Sequence, residues 1–551
     1  MQNRSDSAPA RKDWWRGALI YQVYPRSFQD SDGDGVGDLP GLVARLDYIA
    51  SLGVDAIWVS PFFRSPMKDY GYDVQDYRDV DPLFGTLDDF LRLLERAHEL
   101  GLRIIIDQVI SHTSDQHPWF VESRSSHDNP KADWYVWADP KPDGTPPNNW
   151  QSVFGGTAWQ WDARRRQYYL HNFLSSQPDL NFHHPAVRSQ VLDDVRFWCR
   201  HGVDGFRFDA SNFHFHDRQL RDNPPAAAAA RVASVRADNP YSMQRHVYDK
   251  NQPENIGFLR DLRRVLDECG AVSLGEVGDE DALTLMAAYT GDGDKLHMAY
   301  SFNLLTPEFS AAHIRAEVEE LEWRIKKTGG WGCWSLSNHD VARVLSRWGK
   351  EHGDRQLAKT LLAMVCSLRG SACIYQGEEL GLTEADIPFE SLRDPYGINF
   401  WPEFKGRDGC RTPMPWSAED EHGGFSPEKP WLPVPAEHLT LSVSGQQADP
   451  GSVLNFFRNF TLWRRSQAPL VSGDIQFLDA PEPVLMFRRT LDGEEILAAF
   501  NLGPKPVRVR VPAGVTGFSA VAGHGLAGEL QGDGKLLLGR YDGFFGKLRQ
   551  G

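Results

Sequence analysis

The sequence predicts an α/β protein: a parallel (β/α)8 barrel with an inserted subdomain after its third strand and a C-terminal antiparallel β domain. Three observations carry the prediction. Eight short apolar, β-branched or aromatic runs begin near residues 19, 55, 103, 205, 272, 298, 332 and 372. Most are separated by stretches with helical spacing of apolar residues, the order that builds a parallel sheet buried on both faces. From Gly473 onward, short alternating runs are divided by turn residues, which marks an antiparallel domain.

Ala18 to Tyr24 (ALIYQVY) reads as the first strand, and the acidic, glycine-rich loop Asp30 to Asp38 follows it. Leu42, Leu46, Ile49 and Leu52 have helical spacing, so a helix is expected over 42–52, ended by Gly53. Val54 to Ser60 is the second strand, Leu87 to Leu100 an amphipathic helix stopped by Gly101, and Arg103 to Ile110 an apolar third strand carrying Asp107.

Alternation then breaks. Ser111 to Phe182 is rich in Trp, Pro, Gly, Asn and Asp without a sustained period, and is too long for a plain loop. It reads as an inserted subdomain whose tryptophans, Trp134, Trp137, Trp150, Trp159 and Trp161, build its own core. A helix over Val187 to His201 and a strand at Gly205 to Asp209 resume the pattern. Asn212 to Glu254 is a second irregular insertion with a helical patch expected at Ala226 to Ala230. Next come a helix near Ile256 to Cys269, strands at Ala271 to Glu276 and Met298 to Phe302, and a helix around His313 to Lys327. Strand Gly332 to Ser337, helix Gln356 to Leu368 and strand Ala372 to Gln376 complete eight strands, which close naturally as a TIM barrel. The boundaries expected are 12–111 and 183–468 for the barrel, 112–182 for the inserted subdomain B, and 469–551 for the C-terminal β domain.

Bulk properties narrow the partners. With 75 acidic against 59 basic residues, the net charge of −16 argues against nucleic acid and against an anionic membrane surface. No apolar run reaches bilayer length. Met1 to Arg11 is polar, has no apolar signal-peptide core and reads as a short disordered tail. The six cysteines show no CxxC spacing; buried, reduced thiols in a cytoplasmic protein are expected, with Cys269, Cys333, Cys366 and Cys373 in largely apolar segments.

In such a barrel, function sits at the C-terminal ends of the strands. Those ends carry Asp107 with His112, Arg207 with Asp209, Glu276, and His339 with Asp340. Arg207 and Asp209 stand two apart on one strand, so both point the same way. The chain shows no Cys/His metal set, no serine nucleophile elbow and no phosphate-binding glycine loop, and no organic cofactor is expected. Convergent carboxylates suit glycoside chemistry, in which one attacks the anomeric carbon and a second, held protonated, protonates the leaving oxygen.

Four segments carry a resemblance: Asp107 to His112, Gly205 to Asp209, Gly275 to Val277, and Ser337 to Asp340. They resemble the four short conserved regions of the α-amylase family, glycoside hydrolase family thirteen. Gln177-Pro178-Asp179-Leu180-Asn181 resembles the extra region marking its oligo-1,6-glucosidase and α-glucosidase subfamily. Gly406-Arg407-Asp408 and Arg411 to Trp416 resemble that subfamily's segment after the eighth strand. Many members have asparagine where Ser111 stands.

The resemblance implies a retaining, exo-acting α-glucosidase that releases or transfers terminal α-D-glucose from short oligosaccharides to water, a sugar or an alcohol acceptor. Asp209 is then the nucleophile, Glu276 the acid and base, and Asp340 the residue that binds sugar hydroxyls and favours the distorted ring. Arg207 keeps Asp209 ionised. His112 and His339 hydrogen-bond the same sugar, Asp69 and Arg411 clamp its non-reducing end, Tyr72 stacks on its face, and Phe154 and Phe173 line the pocket. Trehalose synthase and sucrose isomerase share these motifs, and an inactive binding or scaffold relative is the reading of a different class. In the subfamily, valine after the nucleophile accompanies α-1,6 activity, so Ala210 points to maltose-type α-1,4 bonds. The expected assembly is a monomer or homodimer.

The loop Asp30-Ser-Asp32-Gly-Asp34-Gly-Val36-Gly-Asp38 places carboxylates at alternating positions with glycines at the bends. It resembles the start of an EF-hand loop, without the final bidentate glutamate. A structural Ca²⁺ or Mg²⁺ is expected on Asp30, Asp32, Asp34, Val36 and Asp38, as in the family's relatives.

Overall fold

The computed structural model describes residues 13–226, 235, 239–349, 354–512 and 518–548. The tail expected at Met1 to Arg11 and residues 227–230 of the expected helical patch lie outside them. Eight parallel strands form one sheet: β1 (Leu19–Val23), β2 (Ala56–Val59), β3 (Arg103–Gln108), β4 (Gly205–Phe208), β5 (Val272–Val277), β6 (Met298–Ser301), β7 (Cys333–Ser335) and β8 (Ser371–Tyr375). Each begins within one residue of its expected start. The order is β6-β5-β4-β3-β2-β1-β8-β7, and a parallel bridge between Ala299 and Gly332 closes the ring.

Period-two alternation sorts the side chains into two layers. Along β1, Leu19, Tyr21 and Val23 pack against the surrounding helices, whereas Ile20 joins Trp58, Ile105, Leu274, Met298 and Tyr300 inside the barrel. The strands are buried on both faces because helices cover the outside. One of these, Leu87–Glu99, starts at a capping box between Thr86 and Asp89, which satisfies otherwise unpaired backbone donors of the first turn.

The helix expected over 42–52 is two helices, Leu39–Ala44 and Leu46–Ser51. Arg45 leaves helical geometry between them (φ −104°, ψ 4°), and its guanidinium lies over Trp416 while Nε donates to Gln29 Oε1. That tertiary contact overrides a continuous apolar period.

After β3 the chain makes a short helix, Pro118–Ser123, and a three-stranded antiparallel sheet of Trp137–Ala138, Gln167–Leu170 and Trp159–Asp162. Trp150 and Trp159 form a core there with Val136 and Leu170. Trp161 does not join it: although two residues from Trp159, it lies on the edge strand against Tyr168 and is 40% exposed, while Trp134 and Trp137 pack against the barrel's main core instead. After the helix Val453–Arg465, the C-terminal strands form a five-stranded and a three-stranded antiparallel sheet. Arg489 ties the larger sheet to the barrel by donating to the carbonyls of Ser367, Leu368 and Gly473.

All six cysteines are free thiols. Cys333, Cys366, Cys373 and Cys410 are buried, but Cys199 is half-buried and Cys269, expected inside, is exposed. Cys269 is the last residue of helix Glu254–Cys269, next to Gly270 in left-handed conformation, where the chain leaves the packed face. No helix among the described residues is long and apolar enough to cross a membrane.

Candidate active site

The strand ends converge on one cavity, and its floor is organised by Arg207. Gly205 lets β4 sit close to β5: a Cβ there would lie 2.7 Å from Val272 Cγ2 and 3.0 Å from its carbonyl oxygen. Arg207 opposes Asp107 on β3 and Leu274 on β5 in register. Its Nη1 donates to Asp107 Oδ1 at 2.9 Å and Asp209 Oδ1 at 2.6 Å. Its Nη2 lies 2.7 Å from Glu276 Oε1 and 2.8 Å from Tyr300 Oη. Glu276 also accepts from Tyr300 Oη at 2.9 Å and from the Ala210 backbone N–H at 3.1 Å. One fully buried guanidinium therefore serves three carboxylates.

Sharing decides the protonation states. Burial pushes Asp209 up to about 6, with Arg207 pulling the other way and Asp107 and Asp340 adding to the rise. Arg207 opposes the rise, as expected, but its single cation is divided among three carboxylates and burial outweighs it. Burial pushes Glu276 higher, to about 7, again opposed by Arg207 and reinforced by Asp209 and Asp340. Asp340 differs. Burial raises it, but His339, Arg407 and Arg411 overcome that and hold it far below the ordinary carboxylate range. Near neutral pH the site holds ionised Asp209 and Asp340 beside a Glu276 that is half protonated.

A second ionic cluster borders the same cavity. Arg407 lines the cavity; its Nη2 donates to Asp69 Oδ1 at 2.9 Å and Asp394 Oδ1 at 2.7 Å, and its Nη1 to Asp340 Oδ1 at 3.1 Å. Of the expected pair Asp69 and Arg411, Asp69 lines the cavity and Arg411 does not; the guanidinium beside Asp69 on the cavity wall is that of Arg407. Arg411 is buried behind Asp340, donating to Asp340 Oδ1 at 3.1 Å and to the His339 carbonyl at 2.7 Å. Arg407 stands in the quoted Gly406-Arg407-Asp408 segment, but its pairing with Asp69 spans 338 residues and left no local signal.

Tyr72, His112, Phe154 and Phe173 line the cavity. His112 Nε2 meets the Tyr72 carbonyl at 3.0 Å and Nδ1 meets Ser111 Oγ at 3.0 Å, so Ser111 orients the imidazole. Burial lowers His112 to about 4, which leaves it neutral. Gln177, the first residue of the Gln177 to Asn181 segment, is also on the wall and donates to Asp69 Oδ2 at 3.0 Å. His339 is placed differently from expectation. It lies beneath Tyr72, rings parallel at 5.3 Å, with Nδ1 on Gln22 and Nε2 on the Tyr72 hydroxyl. It is fully buried and acts on the cavity through Tyr72 and Asp340.

In the acidic loop, carboxylate oxygens of Asp30, Asp32 and Asp38 lie within 4.8 Å of one another. Asp34 stands outside this group, its Oδ1 accepting the Val36 N–H at 2.8 Å.

Residues 22–473 match the model of the α-amylase catalytic domain. The chain belongs to the α-amylase family. Among this family's members, a Rhizobium meliloti (strain 1021) protein named "Probable alpha-glucosidase" is 53% identical over 541 residues, covering 98% of this chain and 97% of its own. An oligo-1,6-glucosidase of Heyndrickxia coagulans is 36% identical, covering 91% and 94%. The crystal structure of the α-glucosyl transfer enzyme XgtA superposes with a TM-score of 0.95 at 57% identity, covering 97% and 99%. The trehalulose synthase MutB of Pseudomonas mesoacidophila MX-45 gives 0.87 at 32%, covering 98% and 100%. The chain is thus an α-amylase-family glycoside hydrolase with the family's barrel and C-terminal β domain.

Proposed function

We propose that this enzyme is a retaining, exo-acting α-glucosidase that releases or transfers terminal α-D-glucose from short oligosaccharides. One observation carries the reading: Asp209 and Glu276 share Arg207 on adjacent strands, with Glu276 the more readily protonated of the two. Asp209 attacks the anomeric carbon while the Glu276 proton passes to the departing glycosidic oxygen, leaving a β-glucosyl ester on Asp209. The Glu276 carboxylate then takes a proton from water or an alcohol, whose oxygen attacks the same carbon and releases Asp209 with α configuration restored. Asp69, Arg407 and Asp340 offer charged partners to the hydroxyls of a single terminal glucose, which supports exo action.

Product analysis by NMR tests this. Maltose should yield α-glucose first, and an initial β anomer would refute retention. Transfer is the second reading that an observation favours, since XgtA is named an α-glucosyl transfer enzyme and its chain superposes throughout. Trehalose synthase or sucrose isomerase activity has weaker support. An inactive scaffold sits poorly with Asp209, Glu276 and Asp340 all lining one cavity.

We further propose α-1,4 preference from Ala210, whose small side chain lines the cavity beside the nucleophile. A structural divalent cation, Ca²⁺ or Mg²⁺, fits the convergent oxygens of Asp30, Asp32 and Asp38, with the Val36 carbonyl as a candidate fourth donor. Burial and neighbouring carboxylates raise Asp34 and Asp38 together, the crowding a cation relieves. Such an ion supplies stability rather than a reacting group. A cytoplasmic setting agrees with six free thiols, and each chain carries a full set of site residues, as a monomer or homodimer requires.

A further inference from the structure

The cavity has two unlike ends. Asp69, Arg407 and Asp340 gather charge at one. On the Glu276 side, Gly278 follows Glu276 by two residues, its carbonyl is held by Lys250, and Lys250 Nζ lies 5.0 Å from the Phe213 ring and 5.5 Å from the Tyr241 ring, all of them cavity-lining along with Val235. A leaving group stands on the side of the acid that protonates its oxygen, so this wall faces the unit that departs from the glucosyl carbon or later attacks it.

Two polar side chains interrupt this apolar wall. Lys250 is fully buried, and Nζ donates to the Gly278 carbonyl at 2.9 Å with Asp279 Oδ2 at 3.4 Å. Its ammonium thereby straps the loop after β4 to the end of β5. Tyr241 is 1% exposed, yet its hydroxyl has no hydrogen-bond partner among the described residues. A buried phenol left unpaired costs stability, so such a group calls for a ligand-side explanation.

The ring cannot readily turn away to satisfy itself. It stacks on His246 at 3.5 Å with 13° between planes. His246 is pinned by Asp249 at Nδ1 and by the Tyr241 carbonyl, 2.8 Å from Nε2. Asn239 Oδ1 accepts the Tyr241 backbone N–H at 3.0 Å. Asp249, His246 and Lys250 therefore hold the phenol in place without using its hydroxyl.

We propose that the Tyr241 hydroxyl is the specificity-determining contact for the leaving-group and acceptor side: it hydrogen-bonds a hydroxyl of the departing sugar or of the incoming alcohol. This rests on reading the cavity as a glucosidase site. Tyr241→Phe tests it with two substrates, maltose and 4-nitrophenyl α-D-glucoside, whose leaving group carries no sugar hydroxyl. kcat/KM for maltose should fall about three- to tenfold, the worth of one net hydrogen bond, while the nitrophenyl substrate stays within about twofold. The melting temperature should hold or rise, because an unpaired buried hydroxyl has been removed. Equal losses on both substrates, no loss on either, or a lower melting temperature would overturn the inference while wild-type turnover stands. Absent wild-type turnover of both substrates would sink the glucosidase reading and this inference with it.

Discussion

The backbone N–H of Ala210 donates to Glu276 Oε2 at 3.1 Å, and Ala210 adopts the left-handed φ of +43°. The residue after Asp209 thus holds Glu276 in place through a conformation that L-residues seldom adopt. Ala210→Val places a β-branched side chain at that angle. We expect a stability loss of about 1–2 kcal/mol by denaturant titration and a higher isomaltose-to-maltose rate ratio. Wild-type enzyme cleaving isomaltose faster than maltose would contradict the α-1,4 assignment.

The proposed roles of Glu276 as acid and Asp209 as nucleophile imply a narrow pH profile. Asp209, near 6, must be ionised, and Glu276, near 7, must be protonated. kcat/KM should therefore rise as pH increases through about 6 and fall above about 7. Glu276→Gln should cost about 10²- to 10⁴-fold on maltose and flatten the alkaline limb. Asp209→Asn should leave no turnover; normal activity in either variant would reassign the roles.

Stability has its own pH dependence. The folded Glu276 carboxyl titrates near 7, above its unfolded value, so the fold binds the proton more tightly. That contribution is complete below the unfolded value near 4.5 and is lost as pH rises through about 7. Arg207 moderates the loss, while Asp209 and Asp340 deepen it. At pH 8, Glu276→Gln should melt no lower than wild type, and on the order of 1 kcal/mol of stabilisation is expected.

Arg407 compensates Asp69, Asp340 and Asp394 at once. Arg407→Met should raise KM for maltose at least tenfold and lower stability by about 3–5 kcal/mol, because buried carboxylates lose their cation. A variant with wild-type KM would show that the cluster is structural only.

The acidic loop is tested by calorimetry. Chelation should lower the melting temperature and Ca²⁺ or Mg²⁺ restore it, with Asp30→Ala abolishing the shift. Equal melting temperatures with chelator and with saturating ion would refute the site.

The strands were legible because burial on both faces demands continuous apolar runs, and their carboxylate-bearing ends were legible because barrel chemistry gathers there. The helix break at Arg45 was not, since Trp416 and Gln29 create it from outside the local period. Exposure of Cys269 was hidden for a similar reason: an apolar segment does not say where its helix leaves the sheet.

The sequence by itself determined the strand order, the identities of Asp209, Glu276 and Asp340, and the family they resemble, because each lies in a short contiguous pattern. Only the tertiary structure decided that Arg207 is divided among three carboxylates, that Arg407 rather than Arg411 pairs with Asp69, and that His339 works from beneath Tyr72. Those relations depend on contacts between chain segments as far as 338 residues apart and on burial that shifts protonation, and neither is encoded in local spacing.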